Sequence, residues 1–168
     1  DPINHAGEDL FRRKEMQSLS DEMAAVARLL CDRGWAERNA GNFSVNVTPM
    51  VEGNCAWLVD AGTPLPLGRI YPGLAEQVFL VSGTGTRMRD LAGDPTRFTC
   101  FVAVGAKGDM CRIFPGNTEA IGVKPTSELA THLALQQMLR QSEVKETVVL
   151  HAHVTDLIAL THLPQFRS

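Results

Sequence analysis

Two helical patterns enclose a strand-rich middle, and this order constrains the fold more than any single motif does. Residues 9–33 repeat apolar side chains at helical spacing, with Ser20 as the candidate N-cap of the strongest part. Residues 125–141 form the second helical pattern, which Thr126 or Ser127 would cap. Helices on either side of several strands are typical of layered α/β domains.

The residues between and after these helices predict the strands of the sheet. Residues 43–47 alternate apolar and polar side chains, which predicts a half-buried strand. Residues 98–114 predict two strands joined by a turn, and residues 49–73, rich in Pro and Gly, predict an irregular insertion. Further strands are predicted within residues 55–60, 77–82 and 147–154. We therefore expect one α/β/α layered domain over residues 1–168, with a mixed, mainly antiparallel central sheet.

Composition excludes several classes of function. The 168 residues carry a net charge of −3, without the basic block that tracks a nucleic acid backbone. No apolar run approaches the roughly 20 residues that span a bilayer, so no membrane partner is expected. The cysteines show no C-x-x-C pair, and reduced thiols in a cytoplasmic protein are the plain interpretation. They are Cys31, Cys55, Cys100 and Cys111.

The stretch "VVLHAHV" contains the clearest candidate for a metal site. His151 and His153 are separated by one residue, and on a strand such residues point to the same face. Two imidazoles placed side by side can converge on one zinc ion at ~2.0–2.1 Å each. The alternative is two ordinary core or surface histidines on one strand. A catalytic zinc would also need a third protein ligand.

Three short motifs are candidate sites for an anion. "RNAGN" offers two asparagine side chains beside a glycine, and "SGTG" offers a possible nest of backbone N–H groups. "PTSE" places two hydroxyls and the carboxylate of Glu128 at the start of a helix, where the potential is positive. Each motif alone has an ordinary alternative, a tight turn or a capped helix. The candidate anion-binding residues are Asn39, Gly41, Asn42, Ser82, Gly83, Thr126 and Ser127.

Taken in order, these motifs resemble the class II aldolase family of zinc-dependent sugar-phosphate aldolases and related epimerases. The resemblance extends from "GWAERNAGNFSV" through "FLVSGTGT" and "KPTSELATHLALQQ" to "VVLHAHVTDLIALTH". It implies that His151 and His153 bind Zn²⁺ and that Glu128 is the catalytic acid/base. It also implies that the seven anion-binding candidates hold the phosphate of a sugar phosphate. In the family, zinc stabilises the enediolate that C–C cleavage produces.

Within the family, the long separation between "RNAGN" and "PTSE" resembles the branch that acts on rhamnulose 1-phosphate. That resemblance implies a lyase that cleaves L-rhamnulose 1-phosphate reversibly to dihydroxyacetone phosphate and L-lactaldehyde. The alternatives are a fuculose-phosphate aldolase, a ribulose-phosphate 4-epimerase, or a non-enzymatic adducin-like binding domain. The family also implies a homotetramer.

One feature departs from the family pattern. The family takes its third zinc-binding histidine from a more C-terminal portion, whereas the only histidine after His153 is His162, on what is predicted to be the next helix. We therefore expect the chain to be the N-terminal part of a longer aldolase, with its third ligand beyond residue 168. We expect the 168 residues alone to bind zinc weakly and to have little activity.

Overall fold

The computed structural model of the protein describes residues 2–51, 63–120, 122–142 and 144–166, with side chains described from Ala6 onward. The helices are α1 (Pro2–Phe11), α2 (Lys14–Asp32), α3 (Met88–Gly93), α4 (Leu129–Gln141) and α5 (Thr155–Thr161). The strands are β1 (Asn42–Asn46), β2 (Thr63–Pro66), β3 (Val78–Ser82), β4 (Thr99–Val104), β5 (Met110–Pro115) and β6 (Val148–His151). Short 3₁₀ turns connect several of these elements.

The strands form one six-stranded sheet in the order β2-β5-β4-β3-β1-β6. Every neighbouring pair is antiparallel, so the sheet that the sequence predicted as mixed and mainly antiparallel is antiparallel throughout its described strands. Strands β1 and β6, which are far apart in sequence, are paired with Asn42 opposite His151. This pairing brings the Asn-Gly turn beside the histidine pair.

Both faces of the sheet are covered, which confirms the α/β/α layering. Successive strand residues point to opposite faces, so Phe79 and Leu80 belong to different cores. The face of Leu80 packs against α1 and α2 through residues such as Leu10 and Met16. The face of Phe79 packs against Leu129 and Leu133 of α4.

The first helical pattern is divided into two helices. The chain turns at Arg13, which has extended backbone angles and whose guanidinium donates a hydrogen bond to the carbonyl of Met50 at 2.7 Å. Helix α2 then starts at Lys14, so Ser20 is an interior residue and its predicted role as an N-cap is wrong. Met16 is fully buried and extends the apolar stripe upstream of Ser20. The sequence predicted the start of this helix too far downstream, because the residue before Lys14 forms no side-chain cap that would mark the true start.

Two strand predictions also change. The alternating segment was predicted to be half-buried, but every residue of β1 is buried, because α4 covers its polar face. Residues 63–66, predicted to be irregular, form the edge strand β2 against β5. The strand predicted at 55–60 lies outside the described residues.

Two further sequence predictions concern membranes and thiols. No helix in the described part of the chain is long and apolar enough to cross a membrane. Cys31, Cys100 and Cys111 are free thiols, as predicted, while Cys55 lies outside the described residues. The predicted cytoplasmic location stays a prediction.

Candidate functional site

The candidate site is centred on three side chains from two elements. Oε2 of Glu128, at the N-cap position of α4, lies 2.8 Å from Nδ1 of His151 at the end of β6. The rings of His151 and His153 lie side by side, with centroids 4.9 Å apart and planes tilted by 47°. The side chains of His151 and Glu128 are 38% and 42% exposed, so the cluster is open to a ligand. The sequence-predicted catalytic residue and metal ligands are therefore neighbours.

Helix α4 starts later than the sequence predicted. Thr126 or Ser127 was expected to cap it, but Glu128 itself occupies the N-cap position. The hydroxyl of Thr126 accepts a hydrogen bond from the backbone N–H of Glu128 at 3.3 Å. Glu128 is thus held at the junction between the Thr-Ser turn and the helix, with its carboxylate beside β6.

His153 lies two residues past the end of β6 and is held by a different contact. Its backbone N–H donates to the carbonyl of Trp35 at 2.9 Å. Trp35 lies in the connection between α2 and β1, which also contains the Asn-Gly turn. The histidine pair and the "RNAGN" turn are consequently adjacent in space.

Gly41 is required by the packing of this turn. Its φ is +89°, and a Cβ there would lie 3.2 Å from the carbonyl oxygen of His151 and 3.2 Å from Cε of Met88. The sequence predicted that Gly41 lets a ligand approach the backbone. In the structure, the groups that approach Gly41 closely are the backbone of β6 and the side chain of Met88. Asn39, two residues earlier, is exposed in a turn closed by the hydrogen bond from the N–H of Ala40 to the carbonyl of Glu37.

The "SGTG" and "PTSE" motifs lie against each other. The N–H of Thr126 donates to the carbonyl of Ser82, and Gly83 and Pro125 form an isolated β-bridge. The N–H groups of Gly83 and Thr84 donate to the carbonyls of Phe98 and Lys124. These two N–H groups are therefore used within the protein, and the expectation of an open nest of consecutive N–H groups is wrong for them.

The hydroxyls of these two motifs differ in availability. Ser82 is 1% exposed, and its hydroxyl accepts a hydrogen bond from the N–H of Phe43 at 3.1 Å, which ties β3 to β1. Ser127 is exposed, and no residue in the described ranges forms a hydrogen bond with its hydroxyl. Ser127 can therefore contact a ligand directly, whereas Ser82 holds the framework.

Two functional candidates were missed from the sequence. His132 and Gln136 are each 1% exposed, and both lie one helical turn apart on the face of α4 that begins with Glu128. Nε2 of His132 is hydrogen-bonded to Oδ1 of Asn42, and its Nδ1 lies 2.9 Å from Oγ of Ser44. Together with Glu128, these two residues form a polar stripe at intervals of four residues. This pattern could have indicated His132 and Gln136 from the sequence.

The environment of His132 keeps its ring neutral. Burial lowers the pKa of His132 below its usual 6.5, and the charge of Glu128 opposes this shift. The nearby His151 lowers the pKa further. A neutral imidazole can donate from one nitrogen and accept at the other, which matches its two partners.

The chemistry of the histidine pair fits a divalent metal such as zinc. Nδ1 of His151 faces Glu128, so Nε2 is the nitrogen left for a metal, an arrangement common for zinc-binding histidines. Imidazole nitrogen is a preferred zinc ligand. Within the described residues no group of three His, Cys, Asp or Glu side chains could hold a metal ion. The described residues therefore offer two candidate ligands, His151 and His153, and one carboxylate that contacts the ring of His151.

Comparisons with known proteins identify relatives of this chain. The rhamnulose-1-phosphate aldolase of Bacteroides thetaiotaomicron is 32% identical over 162 residues, and that of Klebsiella pneumoniae is 34% identical over 138 residues. The matches cover 94% and 81% of this chain, and 57% and 49% of those proteins. The chain thus spans about half the length of the curated relatives it matches.

A solved structure and a family model also relate this chain to aldolases. The crystal structure of a sugar-phosphate aldolase from Thermotoga maritima matches with a TM-score of 0.73 and 28% identity. This match covers 91% of the present chain and 60% of the other. The family described as "Class II Aldolase and Adducin N-terminal domain" matches residues 21–167. Because that match extends over most of the chain, the protein belongs to the class II aldolase and adducin N-terminal domain family, as the order of its motifs predicted.

Proposed function

We propose that these residues form the metal and phosphate part of an active site that cleaves L-rhamnulose 1-phosphate. The reaction is reversible and gives dihydroxyacetone phosphate and L-lactaldehyde. The observation that carries the proposal is the position of Glu128, whose carboxylate lies 2.8 Å from His151 of the histidine pair and whose backbone N–H donates to Thr126 of the Thr-Ser turn. The names of the relatives from Bacteroides and Klebsiella support this substrate.

Zinc is the proposed cofactor, with His151 and His153 as two of its ligands. When bound, the metal acts as a Lewis acid and stabilises the negative charge that develops on the substrate's ketone and hydroxyl oxygens. Catalytic zinc sites typically have three protein ligands and one open position. The third ligand is therefore proposed to come from outside the described residues.

Glu128 is proposed to transfer the proton at the carbon next to the ketone. In the cleavage direction, a base from outside the described residues takes the proton of the C4 hydroxyl, and the C3–C4 bond breaks to release lactaldehyde. The electron pair of that bond remains on the dihydroxyacetone phosphate part, and protonated Glu128 then donates a proton to C3. The hydrogen bond to Nδ1 of His151 holds the Glu128 carboxyl group in one orientation for this step.

The seven anion-binding candidates are proposed to form the phosphate subsite in two groups. The direct contacts are proposed to be four polar side chains: those of Asn39 and Ser127, which are exposed, and those of Asn42 and Thr126, whose residues are buried at 9% and 6% exposure. The other three shape the subsite. Gly41 admits the neighbouring strand, and Ser82 and Gly83 fix the position of the Thr-Ser turn through backbone pairing. An anion here also benefits from the N-terminus of α4.

The assembly is proposed to be a homotetramer with a sugar phosphate as its small-molecule partner, as the family resemblance implies. Analytical ultracentrifugation of the natural gene product that carries these residues tests the oligomeric state. Sedimentation as a monomer would contradict this part of the proposal.

The reaction is tested by product analysis on three substrates. The natural gene product, loaded with Zn²⁺, is incubated with rhamnulose 1-phosphate, fuculose 1-phosphate and ribulose 5-phosphate. We expect dihydroxyacetone phosphate and lactaldehyde from the first, at a higher kcat/KM than from the second, and no 4-epimer from the third. Faster cleavage of fuculose 1-phosphate, or epimerisation, would assign another branch. No turnover of any substrate with zinc bound would favour an adducin-like binding domain.

The same assay is applied to the 168 residues alone. We propose that they show little or no turnover, because the described residues offer two zinc ligands rather than three. Turnover close to that of the Bacteroides relative would contradict this.

A further inference from the structure

One face of α4 consists of polar residues that are hydrogen-bonded to the sheet. Glu128, His132 and Gln136 are spaced by four residues, which places them above one another on the helix. Opposite them, β1 presents the polar side chains Asn42 and Ser44, while its Phe43 and Val45 belong to the other core. A helix and a strand thus meet through polar side chains, two of which, His132 and Gln136, are almost fully buried.

The hydrogen bonds along this face have a defined direction. Nε2 of Gln136 lies 3.0 Å from Oγ of Ser44 and 3.1 Å from the carbonyls of Ser44 and Thr147, so its two N–H groups have three acceptors. Because Oδ1 of Asn42 can only accept a hydrogen bond, Nε2 of neutral His132 donates to it, and Nδ1 is left to accept from the Ser44 hydroxyl 2.9 Å away. The proton of neutral His132 therefore resides on Nε2.

This chain of bonds determines which end of the Asn42 amide faces the ligand. Its oxygen is bound by His132, so Nδ2 carries the two remaining N–H donors. No group in the described part of the chain accepts a hydrogen bond from Nδ2. None of the described residues has a buried side-chain N or O atom without a partner, so Nδ2 retains access to solvent.

We propose that His132 is a positioning residue that orients the Asn42 amide so that its N–H₂ group donates to the substrate phosphate. This inference rests on the proposed function, because it assumes that the phosphate lies at Asn42. His132 itself does not touch the substrate. Without it, the amide can turn and present its oxygen, which repels an anion. Ser44 contributes by donating to Nδ1 of His132, which leaves the ring proton on Nε2.

Two substitutions at one position separate orientation from general structural damage. In His132→Gln, the side-chain amide nitrogen reaches the place of Nε2 and can still donate to Asn42. In His132→Asn, the shorter amide reaches the place of Nδ1, which keeps the Ser44 contact and loses the Asn42 contact. Both variants bury an amide in place of the ring. Loss of folding would therefore affect both, whereas loss of orientation affects His132→Asn.

The readout is the affinity for inorganic phosphate, measured by isothermal titration calorimetry on the folded protein. We expect His132→Gln to bind phosphate within about threefold of the wild type and His132→Asn to bind at least about tenfold more weakly, the effect of losing one charge-assisted hydrogen bond. Equal affinities, or equal losses in the two variants, would overturn the role of His132. If the wild type itself does not bind phosphate, the proposed phosphate subsite is wrong, and the inference with it.

The tautomer of His132 provides a second readout that does not depend on ligand binding. We expect ¹⁵N NMR of the wild type to show the proton on Nε2 of His132 at neutral pH. The same spectrum of Ser44→Ala should show a loss of this preference, because nothing then donates to Nδ1. A wild-type proton on Nδ1 would overturn the proposal, since Nε2 could not donate to Asn42.

Discussion

Oε2 of Glu128 lies 2.8 Å from Nδ1 of His151, although the two residues are 23 positions apart in the sequence. The contact joins the start of α4 to the end of β6, and it depends on the pairing of β6 with β1. Gln136, two turns after Glu128, donates to the carbonyls of Ser44 and Thr147 and fixes the helix over these strands. The geometry of the candidate site therefore depends on the packing of α4 against the β1–β6 pair.

Replacing the Glu128 carboxylate by an amide tests its proposed role in proton transfer. Glu128→Gln keeps the shape and an oxygen that can accept from His151, but it cannot exchange a proton. We expect kcat for cleavage by the zinc-loaded natural gene product to fall by about 10²–10⁴-fold, the usual contribution of a general acid/base. Steady-state kinetics measure this.

The matched control is Glu119→Gln. Glu119 is exposed and forms a surface ion pair with Arg97 at 3.3 Å. We expect its kcat to stay near that of the wild type, because surface ion pairs contribute little. A Glu128→Gln variant that is as active as this control would exclude Glu128 as the acid/base.

Removing either histidine of the pair tests the proposed metal ligands. We expect His151→Ala and His153→Ala each to weaken Zn²⁺ binding by more than about tenfold, since substitutions even at residues that only orient ligands cost 10–100-fold. His162→Ala is the matched control, because His162 lies at the C-cap of α5. Calorimetric titration with Zn²⁺ measures all three. If His162→Ala weakened binding as much as the other two, the pair would not be the metal site.

The histidine pair and the Glu128 carboxylate could be predicted from sequence because each motif is local. "HAH" and "PTSE" identify residue types at fixed spacing, and the family resemblance relates the two. The pairing of β4 with β5 could be predicted from the short turn between them, whereas the other strand pairs are joined by long connections. The burial of β1 on both faces could not be predicted, because its alternation of apolar and polar residues is also that of a solvent-exposed strand. His132 was missed for the same reason. A polar residue on a helix usually faces water, and here it faces the polar side of β1.

Substituting Gly41 tests how closely β1 and β6 must approach. Gly41→Ala places a Cβ at φ +89°, 3.2 Å from the His151 carbonyl oxygen. Gly34→Ala is the matched control, because Gly34 also has a positive φ, +67°, but nothing lies within 4 Å of its Cβ position. The left-handed backbone costs about 1–2 kcal/mol for a residue with a Cβ, and we expect Gly34→Ala to lose that much. Gly41→Ala should lose about 1–2 kcal/mol more, the usual cost of overpacking.

Urea unfolding of the two glycine variants measures this difference in the free energy of unfolding. Equal losses would mean that β6 moves away from Gly41 without cost. In that case, the His151 side chain would not be fixed by the strand pairing, and the short Glu128–His151 contact would have to depend on the side chains alone.

The stability of the fold is expected to fall in mild acid because His132 is buried as a neutral base. Burial, chiefly, lowers its pKa in the folded state below the 6.5 of the unfolded chain. The unfolded state therefore binds a proton first as the pH falls through 6.5, and the stabilisation present above that pH is progressively lost below it. For one proton, the slope of the free energy of unfolding reaches at most about 1.4 kcal/mol per pH unit. Urea unfolding at pH 7.5, 6.5 and 5.5 measures this slope, and His132→Gln should reduce it because glutamine does not titrate. An identical slope in the wild type and in His132→Gln would show that His132 takes up its proton equally in both states, which is incompatible with a neutral ring bound between Ser44 and Asn42.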